Sequence, residues 1–251
     1  MNIFKQALGD ISGGSVLDIA TQEGGFVRIL MESLQSYTEI IGIDISEQAI
    51  ATAQSKFDQK NIRFMQMDAA HLSFADERFD TVSLSASLHH LANIPQVLAE
   101  AMRVLKTGGH FILAEMHRDG QTEAQLTMVY LHHWVAAVDS ALGIFHNSTL
   151  PRQKFVDTMA ELGLHQTAVY DFSDPASDPM DAALITQLDD LIDKNTQRAA
   201  GVQDGPALMQ RGQALQRRLH KVGIQREPLI VIVGEKGGRS GVKPDWFNLG
   251  D

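Results

Sequence analysis

No cysteine occurs in the 251 residues. Disulfides, thiolate metal sites and cysteine nucleophiles are therefore excluded, and the chain fits a reducing compartment without requiring one. Positive charge is scarce: 21 Lys and Arg stand against 31 Asp and Glu, a formal net charge of −10, and the sequence pI is near 5.4. That balance opposes unspecific attraction to phosphate backbones and anionic lipid, so neither nucleic acid nor membrane is expected as a partner. No apolar run approaches the roughly 20 residues of a membrane span. The opening MNIFKQALGDISGG has no basic segment leading into an apolar one, so a soluble cytoplasmic protein is expected. Internal repeats and low-complexity tracts are missing as well. With 44% apolar residues the chain can bury a sizeable core, most simply as one domain with an embellishment.

The G-x-G-x-x-G turn of dinucleotide-binding proteins is also absent. Residues 15–26 read SVLDIATQEGGF, an apolar run around Asp18, then a turn offering Ala20, Gln22 and Gly24, then Phe26, Val27, Ile29 and Leu30 at helical spacing. The reading is strand, tight turn, helix. So few glycines make a poor cradle for a pyrophosphate, whereas a nucleoside without phosphate, such as S-adenosylmethionine, demands less of the backbone. The next apolar run, residues 39–45, carries Asp44 near its end, where a carboxylate can accept two hydrogen bonds from a ribose diol.

Alternation continues along the chain. A helix is expected over residues 50–57, strands over 62–67 and 79–84, a helix over 94–105 stopped by Gly108-Gly109, and a strand over 110–115. Five strands alternating with helices imply a parallel, doubly wound α/β sheet. After Glu115 the rhythm changes. Residues 124–142 form a helical pattern apolar nearly all round, and such a helix is buried on more than one side. A helix over 150–162 and strands over 165–172 and 228–235 follow. Between those last two strands, the break SDPASDP opens an insertion with two amphipathic helices, about 180–198 and 206–222. These helices could close over a site or pair two subunits as a homodimer. The tail GGRSGVKPDWFNLGD, with Trp246 and Phe247, reads as a surface strap or partly disordered.

The stretches VLDIATQEGG, IGIDIS, MDAAHLSFADERFDTV and SLHHLANIPQVLAEAMRVLKTGGHFILAE resemble the class I S-adenosylmethionine-dependent methyltransferases, nearest to the ubiquinone and menaquinone biosynthesis branch. The match runs over residues 15–118. It implies a Rossmann-like, seven-stranded, mostly parallel sheet with an antiparallel final strand. The whole chain is then one methyltransferase-like domain, with its core at about 13–118, 150–172 and 228–236 and a helical cover at about 119–147 and 175–224. Carried over position by position, Asp18 lies near the methionine ammonium, and Gly24 lets backbone approach the ligand. Asp44 holds the ribose hydroxyls and Ile45 packs on adenine. Asp68 and the backbone of Ala69 read the adenine amino edge, and Ser85 lies close to the methionine moiety. Ala20-Thr21 is a familiar variant of the first glycine position, but Gln22 replaces a glycine the family usually retains. The long insertion also departs from the family's short hairpin, so acceptor specificity does not transfer.

Three functions are weighed on these residues. The leading one is an S-adenosylmethionine-dependent methyltransferase working by in-line displacement on a small, at least partly apolar acceptor, with S-adenosylhomocysteine as product. The second is a non-catalytic or regulatory S-adenosylmethionine-binding protein on the same fold, motivated by Gln22 and the insertion. The third, a nicotinamide-dependent oxidoreductase, is opposed by the missing glycines. No covalent residue is needed for methyl transfer. A base, where the acceptor requires one, could come from His89, His90, Glu115, His117 or His133. Tyr130, His133 and Trp134 share the helix face expected to point at the acceptor. Glu115, His117, His132, His133, Asp139 and His146 form a dense set of oxygen and nitrogen donors. Their spacing matches no established metal motif and His133 sits on an apolar face, so no metal is expected.

Overall fold

The fold was read from a computed structural model, which describes residues 3–174 and 177–237. A short helix α1 (Ile3–Leu8) precedes the alternating core: β1 (Ser15–Ile19), α2 (Gly25–Ser33), β2 (Glu39–Asp44), α3 (Glu47–Lys56), β3 (Ile62–Gln66), β4 (Phe79–Ser85), α4 (Ile94–Val104) and β5 (Leu105–Met116). Then come α5 (Glu123–Ala141), α6 (Arg152–Glu161), β6 (Leu164–Phe172), α7 (Ala182–Ala199), α8 (Gly205–Val222) and β7 (Leu229–Lys236). The strands form one seven-stranded sheet in the order β3-β2-β1-β4-β5-β7-β6. Strands β1 to β5 run parallel, and β7 lies antiparallel between β5 and β6. The chain winds outward from β1 in one direction and from β4 in the other. Their neighbouring carboxyl ends therefore open a crevice, where open α/β sheets bind ligands.

Strand periodicity explains why the sheet is buried on both faces. Along β1, Val16 joins one apolar cluster, with Leu8, Val27, Leu30 and Ile50 of the flanking helices. Leu17 and Ile19 join the other, with Leu98, Ala101, Phe155 and Met159. The same alternation splits β5 and β7, as it must when helices cover both faces of a parallel sheet. Edge strand β6 is largely exposed and is pinned to α6 by Arg152, whose guanidinium meets both Asp171 oxygens at 2.6 Å.

A third apolar cluster lies outside the sheet, built from Leu131, Trp134 and Val138 of α5 with residues of α7 and α8. Trp134 is fully buried there, and its indole N–H donates to the Leu208 carbonyl at 2.8 Å. A Cβ on Gly212 would stand 2.6 Å from the indole, so glycine is what lets α8 approach α5. The insertion helices thus provide one of the apolar surroundings that the pattern of α5 demanded.

Some element boundaries differ from expectation. The helix α1 was not anticipated, because six residues are too short to carry a helical period. Helix α4 ends at Val104, and Gly108-Gly109 fall inside β5, whose pairing with β4 shifts register between Phe79 and Thr81. The tail with Trp246 and Phe247, and residues 175 and 176 of the SDPASDP break, lie outside the described residues.

Candidate functional site

The turn after β1 is held in an unusual shape by two acids. Ala20, Gln22 and Gly24 all take positive φ, at 54°, 49° and 82°, which for Ala and Gln is a left-handed conformation costing about 1–2 kcal/mol each. Asp44, at the end of β2, offsets part of this by accepting the Gln22 amide on one oxygen and the Ser46 amide on the other, each at 2.9 Å. A carboxylate has about four lone-pair sites, so acceptor capacity remains on both oxygens. Asp18 is 1% exposed. Its oxygens take hydroxyl hydrogen bonds from Thr21 at 2.6 Å and Ser83 at 2.7 Å. Burial pushes its pKa up to about 6, against the opposing effect of the two hydroxyls. Sequence reasoning missed both partners: Thr21 lies in the turn three residues on, and Ser83 meets Asp18 only because the sheet order makes β1 and β4 neighbours.

Two cavities open here and share Ala20, Gln22 and Glu23. One, of about 380 Å³, is lined by Asp18, Thr21, Gly24, Ser85 and Ala86. The other, of about 660 Å³, is lined by Asp44, Ile45, Asp68, Ala69, Ser87 and His90. Both volumes fall in the range of small-molecule sites. All eight residues singled out for a nucleoside therefore line this pair of cavities. Three details were not foreseen. Gly24 faces the rings of Phe57 and Phe64, which a Cβ would meet at 2.6 and 3.1 Å, so packing as well as backbone conformation requires glycine. Asp68 is already bonded locally, to the Ala70 amide and His71 Nδ1, both at 2.9 Å, and these partners lower its pKa. Ile45 is 71% exposed, an apolar side chain at a cavity mouth with no protein cover.

Beyond β4 a 3-10 turn, Leu88–His90, brings four histidines together. The His89 ring lies 4.3 Å from His90, 4.7 Å from His132 and 5.5 Å from His146, centroid to centroid. The loop carrying His146 is tied to the turn by the Asn147 amide, which donates to the His89 carbonyl at 2.8 Å. Burial holds the His89 imidazole far below its usual pKa and that of His132 down to about 4. Glu115, fully buried at the end of β5, accepts the Ser87 and Leu88 amides on one oxygen at 2.8 and 2.9 Å. Its other oxygen lies 3.8 Å from His89 Nδ1 and has no hydrogen-bond partner among the described residues. Burial raises its pKa to about 7.

Of the expected bases only His90 lines a cavity, the larger one; the His89 ring lies 4.3 Å from that of His90 and Glu115 3.8 Å from His89 Nδ1, whereas His117 and His133 line neither cavity. His117 Nδ1 sits over the Asp119 amide at 3.4 Å, and His133 Nε2 meets Thr149 Oγ1 at 3.0 Å. Tyr130, His133 and Trp134, expected to face the acceptor, line neither of the two cavities and instead border α8. Trp134 packs against α7 and α8, and Tyr130 is exposed beneath the Arg218 guanidinium at 5.2 Å. The α5 side chain that meets the turn after β4 is His132, its ring 4.7 Å from that of His89. An all-round apolar pattern hides which side is which, because both sides of the helix are buried.

The sheet order, the crevice at its switch point and the acids at the ends of β1 and β2 agree with the fold that the resemblance to class I methyltransferases implied. Residues 17–113 match the family model described as "Methyltransferase domain". A demethylmenaquinone methyltransferase from Bacteroides fragilis is 34% identical over 105 residues, covering 40% of this chain and 42% of that protein. A 2-phytyl-1,4-naphtoquinone methyltransferase from Synechococcus elongatus is 31% identical over 134 residues, covering 51% and 58%. The chain thus spans about half the length of these curated relatives. Among solved structures, an S-adenosylmethionine-dependent methyltransferase from Mesorhizobium loti superposes with a TM-score of 0.54 at 15% identity, covering 93% of this chain and 96% of that one. The family model thus spans the β1–β5 part of the chain, and the fold around it is similar to that of the solved S-adenosylmethionine-dependent methyltransferase.

Proposed function

We propose that the protein is a methyltransferase that takes the methyl group of S-adenosylmethionine and passes it to a small, partly apolar acceptor. One observation carries this reading: at the switch point, Asp18, Asp44, Ile45, Asp68, Ala69 and Ser85 all line two adjoining cavities that share Ala20 and Gln22. Asp44 is placed to hold the ribose hydroxyls on its free lone pairs, and Ile45 to cover one face of adenine. Asp68 with the Ala69 backbone takes the adenine edge. Asp18 faces the methionine ammonium, and Ser85 borders that end of the ligand. S-adenosylmethionine supplies an electrophilic methyl on a positively charged sulfur. The acceptor atom forms the new bond to carbon while the carbon–sulfur bond breaks, and its electron pair stays on sulfur. The protein's task is to align the acceptor and exclude water. For a hydroxyl acceptor, His90 at the cavity wall takes the departing proton.

Support for the acceptor class comes from two sides. The cavity wall mixes Ile43, Met67, Leu91, Ala92 and Val97 with polar groups, and the two curated relatives are named for quinone acceptors. The test is methyl-labelled S-adenosylmethionine incubated with a panel of quinols, phenols and alkyl amines. Label transferred to a quinol or phenol with stoichiometric S-adenosylhomocysteine is the expected result. Binding without transfer to any panel member favours the non-catalytic reading, and no binding overturns both.

A further inference from the structure

We propose that His89, His132 and His146 form a binding site for a divalent metal ion of the zinc type, beside the proposed acceptor cavity. Among the described residues these three offer ring nitrogens that all lie within 4.8 Å of one another. They come from three separate segments: the turn after β4, the middle of α5 and the loop after α5. Zinc–nitrogen bonds of about 2.0–2.1 Å at the tetrahedral angle place two ligand nitrogens about 3.3–3.4 Å apart. His132 Nε2 and His146 Nε2 are 3.3 Å apart.

The surroundings are those of a held ligand set. His146 Nδ1 lies 2.7 Å from Asp139 Oδ2, so the carboxylate claims the Nδ1 proton and turns the Nε2 lone pair toward His132. Asp139 is itself fixed by Arg198 of α7 at 2.6 Å. The Glu115 oxygen that has no hydrogen-bond partner among the described residues stands 3.8 Å from His89 Nδ1, a second carboxyl group beside the cluster. Imidazole ligands suit zinc and related first-row ions and select against magnesium or calcium, which prefer oxygen. Three protein ligands leave the fourth tetrahedral position for water or an acceptor oxygen. His90, whose ring is 4.1 Å from that of His146, joins the cluster to the cavity wall. The donor set expected from sequence held Glu115, His132, Asp139 and His146 together with His117 and His133, and left out His89, which only the fold brings to the cluster.

A metal at this place deepens the methyltransferase reading, since it would bind and polarise an acceptor oxygen, but its existence is tested without turnover. Full-length protein free of any affinity tag is titrated with Zn²⁺ by calorimetry and with Co²⁺ by visible absorption. S-adenosylmethionine affinity is measured in parallel. Expected are one ion per chain, a tetrahedral Co²⁺ spectrum, and loss of both in His132→Gln and His146→Gln variants that keep wild-type circular dichroism and S-adenosylmethionine affinity. Asp139→Asn should weaken the metal about 10- to 100-fold without abolishing it. If either glutamine variant fails to fold, wild-type stoichiometry and the Asp139→Asn shift decide. Absence of stoichiometric binding to wild type, which would leave a plain imidazole–imidazole hydrogen bond, overturns the site. Binding unchanged in both glutamine variants does so too. Failure of S-adenosylmethionine binding alone would overturn the functional reading and leave the metal site standing.

Discussion

Replacing Asp44 by Ala removes two interactions at once, and the structure separates them. The carboxylate accepts the Gln22 and Ser46 amides at 2.9 Å, and the residue is only 9% exposed. Alanine orphans both N–H groups, and a buried donor without a partner costs about 1–3 kcal/mol. The partial exposure lets water recover some of this, so about 2–4 kcal/mol of stability should be lost. One of the orphaned amides belongs to Gln22, in left-handed backbone, so the loss loosens the turn itself. On top of that, the ribose loses a charged acceptor, worth about 1.5–3 kcal/mol, a roughly 10- to 150-fold weaker affinity for S-adenosylmethionine. Asp44→Asn should fall between, because the amide keeps one oxygen for one N–H and turns its own NH₂ toward the other. Urea unfolding reads the first effect and calorimetric titration under native conditions the second. Wild-type affinity in a folded Asp44→Ala variant would refute the ribose assignment, and wild-type stability would refute the claim that Asp44 braces the turn.

The legible part of this protein was what depends on local pattern. The doubly wound sheet was readable because each strand is a short apolar run and each helix has a periodic face. Asp18 and Asp44 could be singled out because each is an acid within or ending an apolar strand run, and the fold brings both to the cavities. What escaped depended on which elements become neighbours. Ser83 supports Asp18 from 65 residues away, and nothing in the local sequence of β4 marks it. The packing of Trp134 against α7 and α8 was not legible because α5 is apolar on more than one side. The choice between adjacent histidines 132 and 133 is made by the packing of Trp134 against α8.

Three further outcomes follow from the same geometry. Because the folded protein holds the Asp18 proton up to about pH 6 and the methionine ammonium favours the carboxylate, binding below that pH must expel a proton. Affinity should fall roughly tenfold per pH unit below 6 and level off above it. Asp18→Asn should lower the plateau and flatten the profile, and a flat wild-type profile would remove Asp18 from the site. Gln22→Gly relieves about 1–2 kcal/mol of left-handed backbone and adds about 0.5–1 kcal/mol of unfolded-state entropy. Equal or slightly higher stability with unchanged or tighter binding is expected by thermal melting and titration, and a large loss of affinity would mean that the glutamine side chain touches the ligand. Trp134→Ala empties the core shared by α5, α7 and α8 and should cost about 3–5 kcal/mol while leaving S-adenosylmethionine affinity near wild type. A selective affinity loss without destabilisation, seen by urea unfolding and calorimetry, would contradict its placement away from the cofactor.

The most direct test of the central claim is a crystal structure of the full chain grown with S-adenosylmethionine. The account predicts ribose hydroxyls on Asp44, adenine between Ile45 and the Asp68–Ala69 edge, the ammonium at Asp18, and the methyl group directed toward the side of the cavity where His90 lies. Nucleoside density at any other place on the molecule, or none under saturating ligand, would contradict it.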